Sequence, residues 1–179
     1  MTKTNKILIS NPRVCIGCRS CELFCSFYHY KENNPNRALL KIVKDEVHGT
    51  DIPVICHHCD KPACVEVCPV RAFKINKKTG VPVIDHEICI GCKACVSACP
   101  FGAIRIDPKT EETSKCDLCD GDPQCVKICK QDALLYAERD LTARLLTHFH
   151  AKKTAKLIGH NGIICLPRLP NLRNLSHLR

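Results

Sequence analysis

Asp85-His-Glu-Ile-Cys89-Ile-Gly-Cys92-Lys-Ala-Cys95-Val-Ser-Ala-Cys99-Pro100 places three cysteines within seven residues and a fourth one helical turn later. Nearly the same text stands at Asn11-Pro-Arg-Val-Cys15-Ile-Gly-Cys18-Arg-Ser-Cys21, with Cys25 four residues on. Two looser groups complete the pattern: Cys56, Cys59, Cys64 and Cys68, followed by Pro69, and Cys116, Cys119, Cys125 and Cys129. Of 17 cysteines in 179 residues, only Cys165 stands outside these four groups. A repeat this regular is the unit from which the fold must be built.

Cysteine at this density means either disulfides in an oxidising compartment or thiolates committed to metal in a reducing one. The start, Met1 to Arg13, is polar and lacks the apolar run of a signal peptide. No stretch approaches the ~20 apolar residues of a membrane span. Both readings favour a cytoplasmic, metal-binding chain with no integral membrane segment. Zinc sites collect cysteines as two separated pairs. The triple spacing of the first and third groups instead suits a cubane, whose several iron corners accept thiolates in quick succession. Gly17 and Gly91 permit the tight backbone that turns amide N–H groups toward an anionic cluster.

The fourth cysteine of each group lies one helical turn past the third and cannot easily reach back to the same metal. In the run C-x2-C-x2-C-x3-C-P it ligates the other cluster of a pair. Third and fourth cysteines would then join two clusters through one turn of helix, putting neighbours on the order of 10 Å apart. Crossed ligation needs partners. Groups two and three share a proline after the fourth cysteine, groups one and four lack it, and each such pair has one compact and one expanded spacing. This pairs two with three and one with four. The inner module would hold Cys56, Cys59 and Cys64 with Cys99, and Cys89, Cys92 and Cys95 with Cys68. The outer would hold Cys15, Cys18 and Cys21 with Cys129, and Cys116, Cys119 and Cys125 with Cys25. Pairing one with two and three with four is the rival that spacing leaves open.

The formal charge of +9 resembles that of a nucleic-acid binder. Its distribution argues otherwise. From Leu141 to Arg179 there are seven Lys/Arg and no acid, so the first 140 residues hold 20 basic against 18 acidic side chains. Four oxidised clusters at about −2 each would contribute roughly −8, nearly cancelling the excess. Trp is absent and aromatic residues make up 4% of the chain, leaving no platform for stacking bases. Nucleic acid is therefore not an expected partner.

Short strand-like runs flank the groups at Lys6–Ser10, Leu39–Val43, Pro53–Ile55, Ala72–Asn76, Val81–Asp85, Ala103–Asp107 and Ala133–Ala137. Ala72 to Asp85 reads as a hairpin turning at Lys78-Thr79-Gly80. After Cys21, Cys64, Cys95 and Cys125 there is room for one or two helical turns. The expected fold class is α+β: two dicluster modules of small sheets and short helices, with metal in place of a large apolar core, plus a C-terminal extension. The four-cluster domain would span 1–138, with the inner module about 50–108 and the outer 1–49 together with 109–138. Residues 139–179 form a basic extension, in which Asp140 to about Ile158 patterns as an amphipathic helix. A solvated tail, a docking arm or a membrane-surface contact are the options for it, and Cys165 reads as a free thiol. His57 and His58, with Arg19, Lys93, Lys115 and Lys127, stand close enough to cysteines to shift a cluster's potential rather than to ligate it. No catalytic constellation or further cofactor site is visible.

Cys15 to Cys25, the Asn34-Pro35-Asn36-Arg37 stretch and the groups through Cys129 resemble the four-cluster ferredoxin-type electron-transfer subunits. Such subunits accompany carbon monoxide dehydrogenases, hydrogenases, molybdopterin oxidoreductases and tungsten aldehyde oxidoreductases. The resemblance covers roughly residues 6–138, and Cys21–Phe27 is worded most like the carbon monoxide dehydrogenase and aldehyde oxidoreductase companions. It implies the nested pairing, four [4Fe–4S] clusters, and a non-catalytic chain relaying single electrons between a catalytic oxidoreductase subunit and a second redox protein. Self-association is a further option. A freely diffusing polyferredoxin, or a scaffold with structural clusters, are the alternatives.

Overall fold

The computed structural model describes residues 6–139. The expected helix from Asp140 to about Ile158, the rest of the basic extension and Cys165 lie outside the described residues.

Four two-stranded antiparallel ribbons alternate with the four cysteine groups. β1 (Lys6–Ser10) leads into the first group and into α1 (Ser20–Tyr30). A 3₁₀ turn at Pro35–Arg37 follows, then the hairpin of β2 (Lys41–Asp45) and β3 (Thr50–Val54). The second group carries α2 (Ala63–Glu66), and β4 (Phe73–Ile75) pairs with β5 (Pro82–Ile84). The third carries α3 (Ala94–Ala98), followed by β6 (Arg105–Ile106) paired with β7 (Thr113–Ser114). A 3₁₀ turn at Leu118–Gly121 and α4 (Gln124–Ile128) belong to the fourth, and β8 (Leu134–Glu138) ends the described chain. β8 pairs antiparallel with β1, Lys6 opposite Glu138 and Ser10 opposite Leu134, so the first and last described strands meet in one ribbon.

The expected β4–β5 hairpin forms where the sequence placed it. Asn76 makes its turn: the side-chain oxygen accepts from Lys78 N at 2.8 Å and Thr79 N at 3.2 Å, and the carbonyl accepts from Gly80 N at 2.8 Å. β7 is an addition, since two residues carry too little pattern to read. One element departs from expectation: α1 runs 11 residues, three turns rather than one or two. The reason lies after the fourth cysteine. In the other three groups the chain turns left-handed at Arg71, Gly102 and Asp132 soon after that cysteine, with Pro69 and Pro100 helping to stop two of the helices, whereas Ser26 follows Cys25 and the helix continues. Ser26 is fully buried; its hydroxyl donates to Leu23 O at 3.0 Å and accepts from Asn34 N at 3.1 Å. That hydroxyl folds the chain back after α1.

The main core gathers Leu8, Leu39, Leu40, Ile42, Ile55, Leu118 and Leu134 around Cys21, Cys25 and Cys125. A second, smaller one holds only Ile104 with Cys64 and Cys95 among its fully buried members. Seven of the 21 buried apolar residues are cysteines. The molecule is thus α+β with thiols standing where a larger domain would place aliphatic side chains.

Candidate metal centre

The fold brings the cysteines together in four sets. Cys68, Cys89, Cys92 and Cys95 line one cavity with Ile84, Ile90 and Thr113. Cys56, Cys59, Cys64 and Cys99 line another with His57, His58, Phe101 and Lys115. Cys25, Cys116, Cys119 and Cys125 line a third, walled by Leu8, Leu39, Leu40 and Leu118. Cys129 lies near Cys15 and Cys21; burial first, and then its negative charge among others, raises both thiols. With Cys18 these make the fourth set. In chain order of their leading cysteines we number them site I (Cys15, Cys18, Cys21, Cys129), site III (Cys56, Cys59, Cys64, Cys99), site IV (Cys89, Cys92, Cys95, Cys68) and site II (Cys116, Cys119, Cys125, Cys25), the numerals following their adjacency in space. Cys56 also lines the site II cavity, so sites II and III are neighbours.

One backbone contact, made twice, assembles these sets. Asn11 N donates to Ala133 O at 2.8 Å, and Asp85 N donates to Ala72 O at 2.7 Å. Asn11 and Asp85 are equivalent in the repeat, each four residues before a compact group. Ala133 and Ala72 are equivalent too, each four residues past an expanded group. The same bond therefore sews group four to group one and group two to group three.

Every fourth cysteine receives a backbone N–H on its sulfur. Ala72 N donates to Cys68 Sγ at 3.2 Å, Ala103 N to Cys99 Sγ at 3.4 Å and Ala133 N to Cys129 Sγ at 3.3 Å. To make this bond the residue between turns left-handed, with φ of 51° at Arg71, 58° at Gly102 and 51° at Asp132. The first group cannot repeat the device, because α1 continues; Leu39 N donates to Cys25 Sγ instead, at 3.3 Å. The shared Cys-x3-Ala spacing at Cys68, Cys99 and Cys129 was a readable signal for this turn.

The sulfurs are poor thiolates until a metal arrives. Burial pushes the Cys21 and Cys25 thiols up to about 12 and Cys119 to about 11, and raises Cys116 and Cys125 further. Desolvation disfavours the charged form, so these groups need the positive charge of iron to hold them as thiolates. Four-sulfur sets in apolar walls, each with an amide N–H on one sulfur, fit anionic iron–sulfur clusters. Cys18, Cys59 and Cys92 are exposed, so sites I, III and IV each present one sulfur near solvent.

Other polar groups around the sites escaped sequence reading. His29 Nε2 lies 3.8 Å from Cys119 Sγ and 3.5 Å from Asp117 Oδ1. Glu22, fully buried beside Cys21, accepts from Ile42 N at 2.7 Å and from Arg19 Nε at 2.6 Å. Neither has a sequence signature, because each depends on an element folding back from elsewhere. Of the basic residues singled out, Lys127 is exposed and pairs with Asp122, Lys93 is exposed on the rim of site IV, and Lys115 is buried at site III.

Fold and sites together define a ferredoxin-type iron–sulfur protein. Residues 47–139 match the 4Fe-4S dicluster domain and residues 12–28 a 4Fe-4S binding domain, and the chain belongs to this 4Fe-4S dicluster family. It is 37% identical to the polyferredoxin-like subunit of an aliphatic sulfonate oxidoreductase from Pyrococcus furiosus, over 69% of this chain and 71% of that one. It is 36% identical to an uncharacterized ferredoxin of Methanocaldococcus jannaschii, over 86% of this chain and 93% of that one. A tetrathionate reductase subunit of Salmonella typhimurium is 32% identical over 83% of this chain and 64% of its own length. The cofactors are four [4Fe–4S] clusters, and the function is electron transfer. No helix among the described residues is long and apolar enough to cross a membrane.

Proposed function

We propose that the chain holds one cluster at each of sites I to IV, by the four cysteines named for each, and relays single electrons along the order I, II, III, IV. The carrying observation is the position of Cys56, which lines the cavity of Cys25, Cys116, Cys119 and Cys125 as well as its own. It makes the junction between an outer module, 1–49 with 109–138, and an inner module, about 50–108. The hairpins β2–β3 and β6–β7 run across those two boundaries and connect the modules. Within each module the link is covalent: Cys21 to Cys25 and Cys125 to Cys129 outside, Cys64 to Cys68 and Cys95 to Cys99 inside.

Bound clusters supply reversible one-electron chemistry. The protein's own part is to hold them in sequence, keep water from the buried sulfurs and present sites I and IV to other proteins at Cys18 and Cys92. Substrate chemistry belongs to a catalytic oxidoreductase subunit, of aldehyde oxidoreductase or carbon monoxide dehydrogenase type, with a second redox protein at the other end. The relatives from Pyrococcus and Salmonella, each named as part of a larger oxidoreductase, support that division of labour. The 16 described cysteines are free of disulfides, in keeping with a reducing, cytoplasmic setting.

Two measurements test this reading. Anaerobically prepared protein should carry about sixteen iron and sixteen sulfide per chain, four cubanes' worth; a value near eight, or zinc in their place, defeats it. Cys25→Ala and Cys116→Ala should each abolish the same EPR signal. If Cys25→Ala instead removes a signal lost with Cys59→Ala, the nested ligation is wrong.

A further inference from the structure

Lys115 and His58 set site III apart from its neighbours. Lys115 is 7% exposed, and among the described residues no carboxylate pairs with it. Its Nζ donates to Pro82 O at 2.8 Å and reaches Cys116 O at 3.5 Å. A buried ammonium held only by carbonyls is costly unless another anion lies close. The sulfurs of site III are that anion, since Lys115 lines the same cavity as Cys56, Cys59, Cys64 and Cys99. His58 is 2% exposed, and neither ring nitrogen finds a hydrogen-bond partner in the protein. Buried nitrogens left unpaired are costly unless an acceptor or donor reaches them. His58 stands between Cys56 and Cys59 in the wall of site III, where a cluster's sulfurs are the missing acceptors. Whichever tautomer it takes, an imidazole carries at least one N–H to give to such an acceptor.

The other sites receive less. At site I the Ser20 N–H and hydroxyl bond the Cys18 sulfur and the Gly17 N–H that of Cys15, but among the described residues no buried cation is present and the Asp51 carboxylate opposes negative charge on both. At site II the His29 ring nitrogen near Cys119 shares its surroundings with the Asp117 carboxylate. Site IV has a buried Thr113 hydroxyl and the exposed Lys93. Reduction adds one negative charge to a cluster, and a buried cation or N–H donor stabilises the reduced form more than the oxidised.

We propose that the Lys115 ammonium and the His58 N–H give the cluster at site III the highest reduction potential of the four, so that an electron entering from either end rests there. This rests on the four-cluster ligation above. Lys115 and His58 act through the cluster's charge and are potential-setting residues.

The test is an EPR-monitored redox titration of the complete, cluster-loaded protein and of Lys115→Met, Lys115→Arg and His58→Phe. One cluster in the unaltered protein should reduce ahead of the rest, and its signal should be the one lost in Cys59→Ala. Lys115→Met should lower its affinity for the electron at least tenfold, about 59 mV for a one-electron couple, with the other three unmoved. Lys115→Arg should restore it, and His58→Phe should move the same signal in the same direction by less. If Lys115→Met does not retain its clusters, the His58→Phe shift decides. About sixteen irons with potentials indifferent to the variants that load, or shifted equally at all four clusters, would overturn the assignment while leaving the relay intact. Iron near eight in the unaltered protein would instead defeat the relay reading itself.

Discussion

Gly17 and Gly91 stand at equivalent places in the repeated Cys-Ile-Gly-Cys stretch, with φ of 63° and 68°. Left-handed backbone costs a residue bearing a Cβ about 1–2 kcal/mol, and Gly91→Ala should cost that and no more, because a Cβ there meets open space. A Cβ on Gly17 would run into the Asp51 carboxylate. Gly17→Ala is therefore expected to be the more damaging, and adding Asp51→Ser should bring its cost down to that of Gly91→Ala. Anaerobic urea midpoints of the three variants measure this; equal midpoints for the two single substitutions would show that Asp51 does not constrain site I. The glycines themselves were legible in the repeat. Asp51 was not, since it arrives on β3 from beyond α1 and no local pattern binds the two. The same holds for Lys115, whose place before Cys116 was plain but whose burial depends on Pro82 coming to meet it.

At the scale of elements, the cysteine-bearing turns were readable and their extents less so. Cys-x3-Cys states one helical turn and is silent about the residues beyond it. Pro69 and Pro100 announce that α2 and α3 stop, but α4 also ends at Ile128 with no proline after Cys129, so the missing proline after Cys25 did not foretell the length of α1. Its extra turns have a structural use. They deliver Tyr30 and the following Arg37 to the β6–β7 ribbon, where the guanidinium forks onto Asp107 at 2.5 to 3.1 Å, stacks 4.0 Å from the Tyr30 ring centroid and meets Glu32 at 3.1 Å. Burial raises the Asp107 carboxyl, but the Arg37 hydrogen bonds and charge outweigh it and hold the group below the usual carboxylate range. A depressed folded pKa means the pair's contribution is complete above the unfolded value of about 3.9 and is lost as pH falls through the folded one. The pair is therefore complete at about pH 7, where the clusters are also intact, and Asp107→Asn should lower the anaerobic urea midpoint there. An unchanged midpoint would remove the Arg37 fork from the account of stability.

Taken whole, the described fold is a set of four short ribbons whose interior is part sulfur and part hydrocarbon. The sequence announced this economy through its cysteine count and its lack of long apolar runs. It left the choice of partners open, because spacing within a group says nothing about which group lies opposite. Strand pairing brings the groups together, β1 with β8 at long range for groups one and four and the local β4–β5 hairpin for groups two and three. With a third of its buried apolar residues being cysteine, the chain should depend on metal for folding. Removing iron with a chelator under reducing, anaerobic conditions should abolish the cooperative urea transition and most amide protection, read by circular dichroism and hydrogen exchange. A metal-free chain that kept native amide protection would show the hydrocarbon core to be sufficient alone.

The sewing of group four onto group one, and of two onto three, also carries a timetable. Under the proposed ligation Cys95 completes site IV and Cys99 site III, so both inner sites can fill and close once the chain has been synthesised a little past residue 108. Site II waits for Cys125 and site I for Cys129, and β8 must then find β1, which left the ribosome more than a hundred residues earlier. Until it does, Cys15, Cys18 and Cys21 are three ligands without a fourth. The outer module is thus the last assembled, and its half-filled site I is where oxygen would find an incompletely made molecule most vulnerable.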